Sequence, residues 1–354
     1  MKILFTCGGT GGHIFPAVAM ARQFIKLGHQ VAFVARAEGM ETRILPKEFE
    51  YFSIPADPLS RSNPISNLSL PFKMLKSFKA AQKVIKNYQP NFVIGTGGYV
   101  TVPLLSAAAN LKIPFFIQEQ NAYAGMANRI LGRFAKKIYL GSEVAQKFFP
   151  RGRSVFMGNP IRKIDTQINS PEWFHSGFKI LILGGSQGAR GVNQRLQSCI
   201  DELCSQNKDI KVLWQCGPSS LETIKGQHSN FQVRVKEFLD DIFPWMKSSD
   251  LIISRAGAST ISEILAFSKP SILIPYPHAT GDHQFHNAKA LETKGAAIVE
   301  EEKNKNQLLF KIQLLISNIE KRQTMVEAAN ALARPLACKN IVDNIILEVQ
   351  NDSK

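Results

Sequence analysis

With 354 residues, the chain exceeds the roughly 250–300 residues that a single hydrophobic core supports, so two domains are expected. Its apolar share of 44% is ordinary, no apolar run reaches the roughly 18–20 residues of a membrane span, and five cysteines without a C-x-x-C pair fit neither a disulfide framework nor a zinc site. The net charge of +15 sits in one half: residues 1–165 hold 22 Lys and Arg against 8 Asp and Glu, the remainder 21 against 20, which directs the first half toward an anionic partner.

An apolar strand near 2–6 opens the chain, leaving no room for a signal peptide, and a cytoplasmic protein is expected. Strand and helix patterns then alternate, as in parallel sheets covered by helices. Cys7-Gly8-Gly9-Thr10-Gly11-Gly12-His13 joins the first strand to a helix near 16–27. Thr10, Gly11 and Gly12 there offer N–H groups and a positive helix end to an anion. A helix N-terminus favours neutral imidazole, so His13 suits a general base; the plain alternative is a histidine that only hydrogen-bonds the turn.

The strand near 30–35 ends at Arg36, where a dinucleotide site would use an acid. No loop has the G-x-G-x-x-G spacing or the G-x-x-x-x-G-K-[ST] of a P-loop, so a sugar nucleotide or another pyrophosphate is the remaining ligand class. No acidic residue lies between Asp57 and Glu119. Within that stretch the loop from Leu59 to Leu70 carries Ile65, Leu68 and Leu70. A helix near 71–88 follows, with Lys73, Lys76, Lys79, Lys83 and Lys86 opposite Met74, Leu75, Phe78, Ala81 and Ile85. The helix reads as a core element with a solvated lysine face, the loop as an apolar patch facing anionic lipid.

Strands near 92–95, 113–117 and 137–140 and a helix near 125–134 complete the first half. A polar stretch from Gly158 to Phe178 with Pro160 and Pro171 marks the linker, giving domains 1–160 and 161–354. The second half has strands near 179–183, 210–215, 251–254, 271–275 and 296–299 and helices near 190–206, 259–267, 284–293 and 305–317. Gly184-Gly185-Ser186-Gln187-Gly188-Ala189 repeats the glycine loop, and Arg255-Ala256-Gly257-Ala258-Ser259-Thr260 makes a third such turn before a helix containing Glu263. Glu263 could accept from two ribose hydroxyls or, in a Thr260-x-x-Glu263 capping box, serve the helix alone. Three histidines between His278 and His286 match no strong metal-ligand spacing, and Gln284 and Asn287 could share a face toward sugar hydroxyls. The last segment, about 321–350, is helical, broken near Pro335 and able to pack back across the linker.

At these residues the chain resembles the MurG family. The match runs in order through GGTGGHIFP from Gly8, GTGGYV from Gly95, QEQNAYAG from Gln118, GNPIR from Gly158, GGSQGA from Gly184, SRAGASTISE from Ser254 and DHQFHNA from Asp282. The family transfers N-acetylglucosamine (GlcNAc) from UDP-GlcNAc to lipid I, the undecaprenyl-pyrophosphate-linked MurNAc-pentapeptide of peptidoglycan synthesis. The resemblance implies an α/β GT-B fold, two Rossmann-like domains with parallel sheets facing a central cleft. The N-terminal domain would take the acceptor and the membrane, the C-terminal domain UDP-GlcNAc.

By the same resemblance Glu263 holds the ribose hydroxyls, Ala258, Ser259 and Thr260 lie along the diphosphate, and Ser186 contacts phosphate. Arg162 and Leu239 flank the uracil, while His283, Gln284 and Asn121 face the sugar. The loops at His13, Gly97-Gly98-Tyr99 and Glu119-Asn121 shape the acceptor side, with His13 or Glu119 as the base. The implied reaction is inverting and uses no cofactor or metal. It implies a peripheral protein on the cytoplasmic face of the inner membrane, with cell-wall synthesis proteins and no nucleic acid among its partners. A UDP-GlcNAc 2-epimerase-like enzyme, a transferase for another acceptor and a non-catalytic sugar-nucleotide-binding membrane protein stay open on the residues alone.

Overall fold

The computed structural model describes residues 1–36, 45–56, 70–164, 172–185, 188–227, 232–303 and 307–351. The chain divides into two compact units, Met1–Lys163 with Pro335–Lys354, and Ile164–Arg334. In the first unit β1 (Lys2–Thr6), β2 (Gln30–Ala35), β3 (Glu50–Ser53), β4 (Phe92–Gly95), β5 (Phe115–Glu119), β6 (Lys137–Leu140) and β7 (Ser154–Phe156) form one parallel sheet in the order β3-β2-β1-β4-β5-β6-β7. Its helices are α1 (Gly11–Lys26), α2 (Leu70–Tyr88), α3 (Thr101–Asn110) and α4 (Met126–Leu131). The central strands are near-continuous apolar runs because both faces are covered. Phe5, Phe33 and Phe92 pack under α1 on one face; Leu4, Val93 and Ile117 pack with Ala81, Ile85, Leu104 and Leu105 on the other.

α1 begins at Gly11 rather than near 16. Pro16 reads from sequence as a first-turn residue, but it lies inside the helix and the two glycines extend it upstream. His13 therefore belongs to the first turn. The first turn of α2 also departs from the expected split: Phe72, Met74 and Leu75 are 79%, 47% and 52% exposed beside Lys73 and Lys76, and only from Ser77 onward does the helix bury its apolar face. Residues 59–69 of the preceding loop lie outside the described residues.

In the second unit β8 (Phe178–Leu183), β9 (Ile210–Gln215), β10 (Val233–Lys236), β11 (Leu251–Ser254), β12 (Ser271–Leu273) and β13 (Ile298–Val299) form a parallel sheet in the order β10-β9-β8-β11-β12-β13. Around it run α5 (Arg190–Gln206), α6 (Leu221–Gln227), α7 (Phe243–Ser248), α8 (Ala258–Ala266), α9 (His283–Thr293), α10 (Leu308–Ser317) and α11 (Ile319–Leu332). Glu300, just past β13, is fully buried between two cations. One carboxylate oxygen meets Arg195 of α5, the other Lys311 of α10 at 2.7 Å.

After α11 the chain breaks around Pro335 and α12 (Ala337–Asn351) joins the first unit. Ile341, Val342 and Ile345 enter the core beneath α1, Tyr139 Oη donates to Asn344 Oδ1 at 3.0 Å, and Lys137 pairs with Glu348.

In both sheets the strand order reverses once, between β1 and β4 and between β8 and β11. There the connections diverge and leave a crevice at the carboxyl ends of the strands. Thr6 pairs with Gly95 and Leu183 with Ser254, so in each unit two anion-type loops leave the sheet side by side.

Candidate active site

In the first unit the switch point holds the glycine loop after β1 and residues 96–99 after β4. Gly8 N donates to Gly97 O at 3.1 Å, and Thr96 Oγ1 donates to His13 O at 2.8 Å. The loops interlock because a side chain is missing. A Cβ on Gly97 would lie 2.8 Å from the His13 ring, and one on Gly98, whose φ is +92°, would lie 2.2 Å from Gly8 O. Gly98→Ala is therefore expected to cost roughly 2–4 kcal/mol, from left-handed backbone strain and a backbone collision. Gly28, with φ +80° and open space around it, isolates the strain. Thermal unfolding should show Gly98→Ala clearly below Gly28→Ala, and equal losses would refute the interlock.

The His13 ring is half-buried, and its Nδ1 faces Thr96 O at 2.9 Å and Gln120 Oε1 at 3.0 Å. Thr10, the N-cap of α1, makes no side-chain cap, so Gly11 and Gly12 head the helix with their N–H groups outward along its axis. Glu119, 1% exposed, is committed elsewhere. One oxygen accepts from Asn121 N (3.0 Å) and Asn121 Nδ2 (3.2 Å), the other from Gly125 N (3.0 Å) and Asn128 Nδ2 (2.9 Å). Its carboxylate organises the loop 121–128. Arg162 lies exposed near the end of the first unit.

In the second unit the switch point holds Gly184 and Gly185 after β8 and Arg255 to Gly257 after β11. Ser186 lies outside the described residues. α8 begins at Ala258 with Gly257 as N-cap and no side-chain cap. Thr260 is thus the third helical residue, and the capping-box reading of Glu263 fails. Ala258, Ser259 and Thr260 form the first turn, where backbone N–H groups lack intrahelical acceptors. Ser259 Oγ is buried without a hydrogen-bond partner. Glu263 follows one turn further on.

Around this turn the structure adds residues that local sequence could not assign. Arg255 pairs with Glu302 at 2.5 Å, donates to Ile274 O and Pro275 O at 3.2 Å each, and stacks over Tyr276. Gln284 Oε1 accepts from Tyr276 N at 3.0 Å, which leaves its amide nitrogen as the outer donor. Asn287 differs from expectation. It is buried and donates to Ala256 O at 3.2 Å, so it braces the turn from inside α9 instead of sharing an open face with Gln284. His283 Nδ1 contacts Thr280 O at 2.9 Å, and among the described residues no three His, Cys, Asp or Glu side chains cluster as a metal cage. Leu239 is buried, and Gln215 ties it to the glycine loop by accepting from Leu239 N at 3.2 Å and donating to Gly185 O at 3.0 Å.

The sequence matches the glycosyltransferase family 28 N-terminal domain over residues 3–140 and the family's C-terminal domain over residues 179–341. The chain belongs to glycosyltransferase family 28. Within that family, nearly full-length matches at 37% and 36% identity and a solved structure at 31% identity make it a member of the MurG group. It is 37% identical over 352 residues to the UDP-N-acetylglucosamine–N-acetylmuramyl-(pentapeptide) pyrophosphoryl-undecaprenol N-acetylglucosamine transferase of Myxococcus xanthus, covering 97% of this chain and 92% of that one. It is 36% identical to the enzyme of the same name from Halothermothrix orenii, with both chains covered in full. Among solved structures, Acinetobacter baumannii MurG aligns over 97% of this chain and 98% of its own at 31% identity, with a TM-score of 0.80. The S. aureus MnaA-UDP co-structure aligns with a TM-score of 0.72 at 18% identity over 98% of this chain and 96% of its own, which speaks to fold alone. This family 28 member is a glycosyltransferase of GT-B type, two α/β units each on a parallel sheet.

Proposed function

We infer that this chain transfers GlcNAc from UDP-GlcNAc to lipid I, forming the β-(1→4) disaccharide lipid II of peptidoglycan synthesis. The observation that carries the reading is the match of nearly the whole chain to relatives of that one activity. The site geometry supports the following mechanism. The second unit holds the donor, with Glu263 on the ribose hydroxyls, the first turn of α8 and the Ser259 hydroxyl along the diphosphate, and Leu239 at the uracil. Ser186 completes the phosphate contacts. Gln284, with its nitrogen outward, and His283 face the sugar.

The first unit holds the acceptor between the loops at Thr10, Gly11 and Gly12 and at Gly97 to Tyr99. The acceptor hydroxyl attacks C1 of GlcNAc from the face opposite the diphosphate. The C1–O bond breaks with its electron pair going to UDP, and the hydroxyl proton passes to His13. Glu119, with both oxygens already accepting from N–H donors, shapes the acceptor loop instead of taking the proton. Charge that develops on the leaving diphosphate falls on preorganised N–H groups at the α8 N-terminus, where each donor contributes roughly 3–4 kcal/mol in comparable sites.

The lipid acceptor brings the enzyme to the cytoplasmic face of the membrane. Exposed Phe72, Met74 and Leu75 beside Lys73 and Lys76 give the first unit an apolar patch with a basic rim, suited to anionic lipid. No helix among the described residues is long and apolar enough to cross a membrane.

The test is product analysis. Purified protein with UDP-GlcNAc and a short-chain lipid I analogue should release UDP only when the acceptor is present and yield the disaccharide carrier by mass spectrometry. Isomerised donor sugar without acceptor, or donor binding without turnover, would overturn the reading.

A further inference from the structure

A general base needs a free lone pair on a defined nitrogen, and the side chains packed against His13 decide which nitrogen that is. Nδ1 faces two oxygens, Thr96 O at 2.9 Å and Gln120 Oε1 at 3.0 Å. Thr96 O can only accept. Gln120 could present either end of its amide, but its Nε2 lies 2.8 Å from Thr96 O and 3.1 Å from Gln118 O. An oxygen in that position would face acceptors alone, so the nitrogen sits there and the oxygen meets the ring.

That polarity is propagated from the backbone. Asn159 Nδ2 donates to Gln120 O at 3.1 Å, which turns Asn159 Oδ1 toward Gln118 Nε2 at 2.9 Å. Gln118 Oε1 in turn accepts from Gln120 Nε2. No amide in the chain can flip without setting donor against donor or acceptor against acceptor. Gln118, Gln120 and Asn159 are 0%, 2% and 4% exposed, so water does not compete for these bonds. A Cβ on Gly141 would lie 1.9 Å from Asn159 Oδ1, so the first amide fits only because glycine stands there.

We propose that the amide chain Asn159–Gln118–Gln120 makes Gln120 a positioning residue that holds His13 as the Nδ1–H tautomer and leaves the lone pair on Nε2. Free histidine in water favours the opposite tautomer, so the protein imposes this one. The catalytic meaning rests on His13 as the base; the tautomer itself does not. The residues against the ring, Thr96 and Gly97 after β4 and Gln120 after β5, carry no titratable group. Glu119 at the end of β5 spends its carboxylate on residues 121–128.

Nitrogen-15 NMR of the full chain labelled at histidine reads the tautomer, with His13 assigned by its loss in His13→Gln. The neutral ring should show Nδ1 protonated and Nε2 bare. Gln120→Met, of similar volume without the amide, should admit the Nε2–H tautomer and lower kcat about tenfold at an unchanged KM for UDP-GlcNAc. Gln120→Glu should keep Nδ1–H and move the acid limb of the kcat/KM profile upward by about one pH unit or more, because a carboxylate stabilises the imidazolium. An Nε2–H ring in the unaltered protein overturns the proposal even if Gln120→Met fails to fold. A Gln120→Met protein with unaltered tautomer and pH profile also overturns it, since Thr96 O would then suffice. If the tautomer responds as expected while His13→Ala turns over normally, the positioning is supported and the base assignment falls.

Discussion

Replacing His13 with alanine is expected to lower kcat by roughly 10²–10⁴ while leaving the KM for UDP-GlcNAc within about twofold. The loss corresponds to about 3–5 kcal/mol of transition-state stabilisation. It falls on kcat because the proton moves only as the acceptor hydroxyl attacks, whereas the donor contacts assigned to Glu263 and the α8 turn belong to the second unit. The loop should survive the substitution. Gly8 N still donates to Gly97 O, and Thr96 Oγ1 bonds the backbone carbonyl of residue 13, which alanine retains. Steady-state kinetics with both substrates, next to a thermal unfolding curve, separates chemistry from folding. Turnover within about threefold of the unaltered enzyme would remove His13 from the mechanism.

Glu300→Ala should produce the largest loss of stability. Its carboxylate, fully buried, sits between Arg195 and Lys311, each with a side chain 17% exposed. Arg195 and Lys311 also donate to the carbonyls of Glu302 and Val299, so neither cation can simply turn out to water. Removing the anion leaves two mostly buried positive charges facing each other, a loss of roughly 3–5 kcal/mol. For a unit of this size that lowers the unfolding midpoint by on the order of 10 °C. The triad is costly to break rather than strongly stabilising in itself. A triple replacement by Glu300→Leu, Arg195→Met and Lys311→Met should therefore recover most of the loss. A single-variant loss below about 1 kcal/mol would show that the network is solvated.

The fold was legible where strands are buried on both faces. The segments at 2–6, 30–35, 92–95, 210–215 and 251–254 read directly as apolar runs, and the observed strands have the same bounds. β3, β7 and β10 were missed. β3 and β10 lie at sheet edges, β3 with three of its four residues exposed and β10 with alternate residues exposed, and β7 is a three-residue edge strand. α3 was missed as well, since Thr101-Val102-Pro103 opens it with residues that discourage helix.

The glycine loops were equally legible, because a strand, a glycine turn and a helix N-terminus make an anion site from contiguous residues. Long-range partners were not. Gln120 meets His13 across 107 positions and Asn159 across 39, and their amides acquire meaning only once the strands from β1 through β4, β5 and β6 to β7 lie in one sheet. Glu119 is an acid adjacent to the motif in sequence, yet the fold turns it toward Asn128. Asn287 shares a helical face with Gln284 by spacing, but α9 packs that position inward against Ala256.

The most direct test of the account is the anomeric configuration of the product formed in excess EDTA. Enzyme, UDP-GlcNAc and the short-chain lipid I analogue are incubated with chelator, and the purified disaccharide is examined by proton NMR at the new glycosidic bond. Single displacement with charge stabilised by backbone N–H groups predicts a β-linked GlcNAc formed at a rate close to that without chelator. An α-linked product, or no disaccharide once divalent ions are removed, would contradict it.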